Sequence, residues 1–186
     1  MTVLREDEHL GPLIERHGEK QLEPAPDFFR RFVVSITRQQ LSVAAAAAIL
    51  DRLEREHELT PVGMLHADTD ALRAAGLSAM KVQTIHRVAE RFATGDWRRE
   101  RFEPMADDAV LDELTTVRGI GIWTAKMQLM FSLGRMDVFP VEDLGIRRGM
   151  EQLYGCDLTR ADMCERANAW RPYRSLASLY LWDVRD

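Results

Sequence analysis

The chain has 186 residues, with 25 Lys and Arg against 30 Asp and Glu, so its formal charge is −5. Hydrophobic residues make up 46%, a share that excludes wholesale disorder. A chain this long buries about 70% of its unfolded surface and folds without a staple.

No run of about 18 apolar residues is present to span a membrane. The charged residues 1–8 carry no apolar signal segment, which argues against secretion. Cys156 and Cys164 have no CxxC partner. That excludes a zinc ribbon and a four-cysteine iron–sulfur cluster and fits free thiols in a reducing cytoplasm. The acidic balance argues against a protein that coats nucleic acid nonspecifically, but it leaves room for a local DNA-binding face.

Helical period dominates, and no stretch alternates as a strand would. Phe28, Phe29, Phe32, Val33 and Ile36 share one stripe behind Pro26 and the capping residue Asp27. Ser42 caps the next helix, which runs through five alanines, 44–48, into Ile49, Leu50 and Leu53. Such a run favours helix and lets a neighbouring helix approach closely. Thr60-Pro61 starts another helix. Residues 68–75 form a short helix that Gly76 stops in a left-handed turn. Ser78 caps a long helix carrying Val82, Ile85, Val88, Ala89 and Phe92, ended by Gly95. Further helices span 107–114 and 123–133, the latter ended by Gly134. Residues 135–142 contain Pro140 and read as a loop. Helices resume near Asp143, after Thr159 and after Pro172. The prediction is an all-α chain with short connections.

Residues 114–125 read Leu-Thr-Thr-Val-Arg-Gly-Ile-Gly-Ile-Trp-Thr-Ala. A helix ends, two glycines flank Ile120, and a second helix begins. Gly119 and Gly121 permit backbone conformations closed to other residues and remove the Cβ that would block a close partner. Ile120 anchors the turn. The amides that open the next helix carry a positive dipole end and suit a phosphate. Thr124 adds a hydroxyl there, and Arg118 either adds a phosphate contact or stands solvated. The alternative is an ordinary helix–turn–helix connection.

The segment resembles the helix-hairpin-helix of DNA-repair glycosylases, which grips the DNA backbone. The resemblance implies a structural Na+ or K+ on the main-chain carbonyls of Thr115, Val117 and Ile120, and no other required cofactor. The family often has Pro where Arg118 stands.

Downstream, Asp137-Val138-Phe139-Pro140-Val141-Glu142-Asp143 ends at a loop-to-helix junction. Asp143 serves as a helix N-cap, a role worth ~1 kcal/mol, and Glu142 competes beside it for any catalytic role. Together with the hairpin, the run resembles the 3-methyladenine DNA glycosylase II branch, whose catalytic carboxylate then falls at Asp143. Cleaving a nucleobase glycosidic bond develops oxocarbenium character on the sugar, which a fixed anion stabilises. An alkylated purine already carries positive charge, so a strong general acid is dispensable. No second carboxylate stands out to supply one.

Relatives that also nick the backbone have a nucleophilic lysine at the position of Trp123. Trp123 cannot form a Schiff base, and Lys126 reads as a surface lysine, so the resemblance implies a monofunctional enzyme that leaves an abasic site. A flipped base needs a pocket, and a cationic purine stacks on aromatic faces. Trp123, Trp182 and Tyr173 are the pocket candidates. Met127 stands where a relative has a tyrosine. Tyr180 shares the last helix, and core packing is the competing role for each aromatic.

Residues 35–42 resemble the family stretch that fills the gap left by the flipped base, making Gln39, Gln40 and Leu41 the wedge candidates. Gln40 stands where a relative inserts leucine. Its amide can bond the orphaned base. The alternative is that both glutamines bond backbone groups at a helix start. Residues 72–81 and 171–175 also resemble this branch. The first 35 residues are too few for the β-sheet domain that precedes the helical core in longer relatives, so the resemblance is expected to cover the helical core alone.

The resemblance therefore implies an all-α, two-lobed helix-hairpin-helix glycosylase fold with its cleft between lobes. One lobe is expected over about 36–134 and the other over 1–35 with 135–186. The expected activity is excision of alkylated purines from double-stranded DNA by a monomer, with no membrane partner, in the cytoplasm (at the nucleoid, if the source is prokaryotic). The rival readings are a non-catalytic helix-hairpin-helix DNA-binding module, a superfamily glycosylase for oxidised, deaminated or mismatched bases, and a helical scaffold unrelated to DNA.

Overall fold

A computed structural model describes residues 2–184. Thirteen α-helices are found there, and no strand. They are α1 (Thr2–Arg5), α2 (Leu10–His17), α3 (Phe28–Arg38), α4 (Val43–Glu56), α5 (Pro61–His66), α6 (Thr69–Ala74) and α7 (Ala79–Ala93). There follow α8 (Arg99–Phe102), α9 (Asp107–Thr115), α10 (Ile122–Phe131), α11 (Leu144–Tyr154), α12 (Arg160–Ala167) and α13 (Arg174–Asp183). No helix among the described residues is long and apolar enough to cross a membrane. The chain divides into two units: residues 25–128, and the two flanking segments up to 24 and from 129.

The helix starts in the 25–128 unit follow local capping chemistry. Asp27, Ser42, Thr60, Asp68 and Ser78 each accept a first-turn backbone N–H through their side chains, satisfying donors that have no intrahelical partner. The core is aromatic. Phe28 and Phe32 pack on Phe92, and Phe32 stacks on Trp97 with ring centroids 5.4 Å apart. The buried Trp97 donates its indole N–H to Glu113 Oε1 at 3.0 Å, so a polar edge inside an apolar cluster stays satisfied. This cluster explains why α3 falls in this unit, whereas the sequence boundary at 35/36 put it in the other.

The five-alanine run departs from expectation. Only Ala46 is buried, and the other four are exposed. The run supplies helix propensity, and no neighbouring helix covers it.

The other unit gathers α1, α2, α11, α12 and α13. Its core includes Leu10, Ile14, Ile146, Met150, Trp170, Tyr180 and Leu181. The short helices α1 and α2 were not anticipated from their charged sequence. Asp7 organises their junction: its Oδ1 accepts the N–H groups of His9 and Leu10, and its Oδ2 accepts the indole N–H of Trp170 at 2.8 Å. Tyr180 accepts the N–H of Lys20 and donates to Gly18 O, both at 2.9 Å. It is a fully buried structural residue with no face left for a ligand. Both cysteines are free and exposed.

Candidate active site and nucleic-acid interface

Asp143 ends the loop after α10 and caps α11, accepting the N–H of Ile146 on Oδ1 at 3.0 Å. The same Oδ1 accepts the indole N–H of Trp182 at 3.0 Å. Two donors from two helices thus fix the carboxylate rotamer. Trp182 also stacks on Phe131, with ring centroids 5.9 Å apart and planes at 30°. The residue read as an aromatic face for a base is therefore first a donor to the carboxylate, with Phe131 behind it. Phe131 itself carried no signal beyond its helical spacing from Trp123 and Met127.

Two glycines let α13 come this close. A Cβ at Gly145 would lie 2.8 Å from Trp182 Cδ1 and 2.9 Å from Asp143 Oδ1. A Cβ at Gly149 would lie 2.2 Å from Leu181 O. Each glycine inside a helix costs ~1 kcal/mol against alanine, and here the close crossing of α11 and α13 accounts for both.

The loop before Asp143 is pinned from α13. Arg174 Nε donates to Asp137 Oδ1 at 2.6 Å, and Arg171 reaches Oδ2 at 2.8 Å. Ser175 Oγ accepts the N–H of Val138 and donates to Arg135 O, while Ser175 N–H bonds Met136 O. The backbone polar groups of an irregular segment are thus held by fixed partners. Glu142 is half-buried beside Asp143. Tyr173 stands at the start of α13 and packs against the apolar core of this unit.

In the 25–128 unit, the hairpin joins α9 to α10. Gly119 has φ +102°, and a Cβ there would come within 1.9 Å of Thr84 Oγ1. Both the backbone and the contact demand glycine. Gly121 differs from expectation. Its φ is not positive, and a Cβ there would meet nothing within 4 Å. What Gly121 leaves open is space outside the protein, at the start of α10. Ile120 is 4% exposed and anchors the turn as expected, and the Arg118 side chain is exposed.

Thr124 departs from its expected role. It is 1% exposed, and its Oγ1 accepts Gln39 Nε2 at 2.9 Å. It lies on the inner side of α10 and cannot present a hydroxyl to a phosphate. Gln39 also differs from its sequence reading. Its amide also donates to Gly119 O at 3.0 Å, so it is tied to the hairpin instead of standing free to insert.

Gln40 is the one non-glycine residue with positive φ, +55°, among those described. It is exposed, and Leu41 beside it is 40% exposed. Left-handed backbone at a side chain other than Gly, Asn or Asp is uncommon and clusters at functional sites. Trp123 is half-buried on α10, and Met127, one turn on, is 4% exposed. Lys126 is half-buried.

The carbonyls of Arg118 and Gly119 are engaged by Thr84 and Gln39. Val117 O accepts the N–H of Ile120 at 2.9 Å, which uses one of its two lone pairs. No group of three or more His, Cys, Asp or Glu among the described residues is arranged to hold a metal.

The chain is similar in sequence and fold to known proteins. DNA-3-methyladenine glycosylase 1 of Schizosaccharomyces pombe is 32% identical over 161 residues, covering 83% of this chain and 71% of that protein. The structure of S. pombe 3-methyladenine DNA glycosylase in complex with abasic DNA superposes with a TM-score of 0.90 at 29% identity, covering 98% of this chain and 94% of that one. A DNA-3-methyladenine glycosidase of Bacillus halodurans gives a TM-score of 0.81 at 38% identity, covering 98% and 86%. The family model of the HhH-GPD superfamily base excision DNA repair protein matches residues 33–174, a span that holds Gln40, the α9–α10 hairpin and Asp143. The chain belongs to the HhH-GPD superfamily of base excision DNA repair proteins.

Proposed function

We propose that the chain is a monofunctional DNA glycosylase that excises alkylated purines, of the 3-methyladenine and 7-methylguanine type, from double-stranded DNA. The observation that carries this reading is Asp143, fixed at the head of α11 by the N–H groups of Ile146 and Trp182 on one oxygen. A carboxylate held in one rotamer can face charge that develops only in the transition state.

In this mechanism the extruded purine leaves with the electron pair of its C1′–N bond, which neutralises the positive charge of alkylation. The sugar becomes oxocarbenium-like, and Asp143 stabilises it. Water then bonds to C1′ and gives up a proton to the Asp143 carboxylate. The products are a free base and an abasic site. Trp123 offers an aromatic face to the base and has no amine for a Schiff base. Gln40 enters the gap in the duplex, with Leu41 beside it. The amides at the head of α10 take a backbone phosphate above Gly121. A Na+ or K+ on the carbonyls of Thr115, Val117 and Ile120 would add positive charge at the same place.

A glycosylase assay on a lesion panel, with wild type and Asp143→Asn, tests the reading. The variant is expected to lose at least ~100-fold in excision rate while DNA binding persists. Full activity in Asp143→Asn removes the residue from the chemistry. Lost binding with intact folding would make it a backbone contact.

A further inference from the structure

One face of α7 touches both DNA-directed elements of the 25–128 unit. Lys81 Nζ donates to Thr37 O and Gln39 O, each at 2.8 Å. These are carbonyls at the C-terminal end of α3, immediately before the left-handed Gln40. Three residues on, Thr84 Oγ1 donates to Met80 O and approaches Arg118 O at 3.3 Å, and the missing Cβ of Gly119 rests on it. Arg87 reaches the same Arg118 carbonyl at 3.4 Å. Gln39 closes the ring by donating to Gly119 O and Thr124 Oγ1.

Lys81 occupies a place that is poor for a cation. It sits in the first turn of α7, where Ser78 caps its own N–H, so the helix dipole opposes its charge. Burial also pulls its pKa below the ordinary lysine value. The two carbonyls of α3 offset these costs, since cations are favoured at a helix C-terminus. The arrangement also holds Gln40 in its left-handed backbone conformation.

We propose that Lys81 and Gln39 are positioning residues for base extrusion: they lock the Gln40 turn onto the hairpin, so that backbone grip and insertion into the duplex act as one rigid piece. This rests on the glycosylase reading, in which Gln40 inserts where the base has left. Neither side chain needs to touch the reacting atoms. The lock sets where Gln40 stands relative to the phosphate held at α10. Without it, the hairpin still grips DNA but insertion loses its registry. The defect is therefore confined to substrates whose base must be driven out of a paired stack, since unpaired bases need little extrusion energy.

The experiment compares wild type with Lys81→Met, Lys81→Arg and Gln39→Leu. Single-turnover excision of 7-methylguanine is measured opposite cytosine and opposite an abasic analogue. Lys81→Met and Gln39→Leu are expected to slow the paired substrate by about tenfold or more and the unpaired one by less than about threefold, with Lys81→Arg recovering most of the loss. Equal losses on both substrates, or no loss on either, overturn the proposal. A second readout is independent of chemistry. A duplex with an abasic analogue opposite 2-aminopurine reports insertion through its fluorescence, and filter binding gives affinity. The two variants should lose the fluorescence change while retaining affinity within about threefold. A retained fluorescence change overturns the lock. A wild type that excises nothing yet shows the fluorescence change would fault the glycosylase reading, and the variants' fluorescence would still decide the lock. Should Lys81→Met fail to fold by circular dichroism, Gln39→Leu carries the same comparison.

Discussion

Trp182 Nε1 and Ile146 N converge on a single oxygen of Asp143, each 3.0 Å away. The indole reaches it because Gly145 and Gly149 remove two Cβ atoms from the crossing of α11 and α13. A base-stacking role alone would leave the indole edge without a reason to point at a carboxylate. Replacing Trp182 by Phe separates the two roles, because it retains a ring to stack on Phe131 and removes the N–H. A hydrogen bond to a charged group is worth about 1.5–3 kcal/mol. Trp182→Phe should therefore reduce kcat by about tenfold or more, with KM changing by less than about threefold. The reverse pattern would make Trp182 a base-binding residue first.

Asp137 stands six residues before the carboxylate and acts on it through the loop. Its ion pair with Arg174 is largely enclosed, the arginine side chain being 16% exposed. Asp137→Ala leaves that guanidinium short of its main partner, at a cost of about 1–3 kcal/mol after allowing for the remaining exposure. Thermal unfolding should shift down accordingly, and excision should fall further than stability does because the loop aims Asp143. Asp137→Asn retains an acceptor and should lose less on both measurements. Equal activity in Asp137→Ala and wild type would mean that Ser175 alone holds the loop.

Local chemistry was legible in the sequence, and long-range chemistry was not. The caps Asp27, Ser42, Thr60, Asp68, Ser78, Asp143 and Thr159 all start helices, because a cap interacts within three residues of itself. The Gln39 amide bonds across 80 and 85 residues, and nothing local marks Gln39 rather than Gln40 as the tied one. Thr124 differs from its sequence reading because the start of α10 has an inner and an outer side, and only the packing of Gln39 reveals which is which. The pair of glycines one turn apart on α11 was a readable hint. Glycine at that spacing in a helix signals a close crossing, although not the identity of the partner.

The residue at position 123 bears on strand cleavage. A tryptophan has no amine to attack C1′, and a trapped intermediate needs one. Borohydride added during turnover should capture no protein–DNA adduct, and product strands should break only after alkali. An adduct mapping to Lys126 would show that the half-buried lysine on α10 reaches the sugar.

Gly119 and Gly121 separate folding from DNA binding. A Cβ at Gly119 meets Thr84 at 1.9 Å and demands a left-handed backbone, so Gly119→Ala should lower thermal stability before any DNA is added. A Cβ at Gly121 meets nothing within 4 Å, so Gly121→Val should fold, with its side chain standing where a phosphate would approach the amides of α10. Its affinity should drop alike for lesion and undamaged duplex, since phosphate contacts carry no sequence information. The net charge of −5 points the same way. Backbone amides release no counterions, so the wild-type salt slope should correspond to only about 2–4 phosphate neutralisations. Affinity for an abasic-analogue duplex across a salt series, with circular dichroism on each variant, checks both statements. A folded Gly121→Val that binds as tightly as wild type would take the hairpin out of the interface. A slope near ten contacts would shift the grip to a basic surface, with Arg118 the first residue to replace.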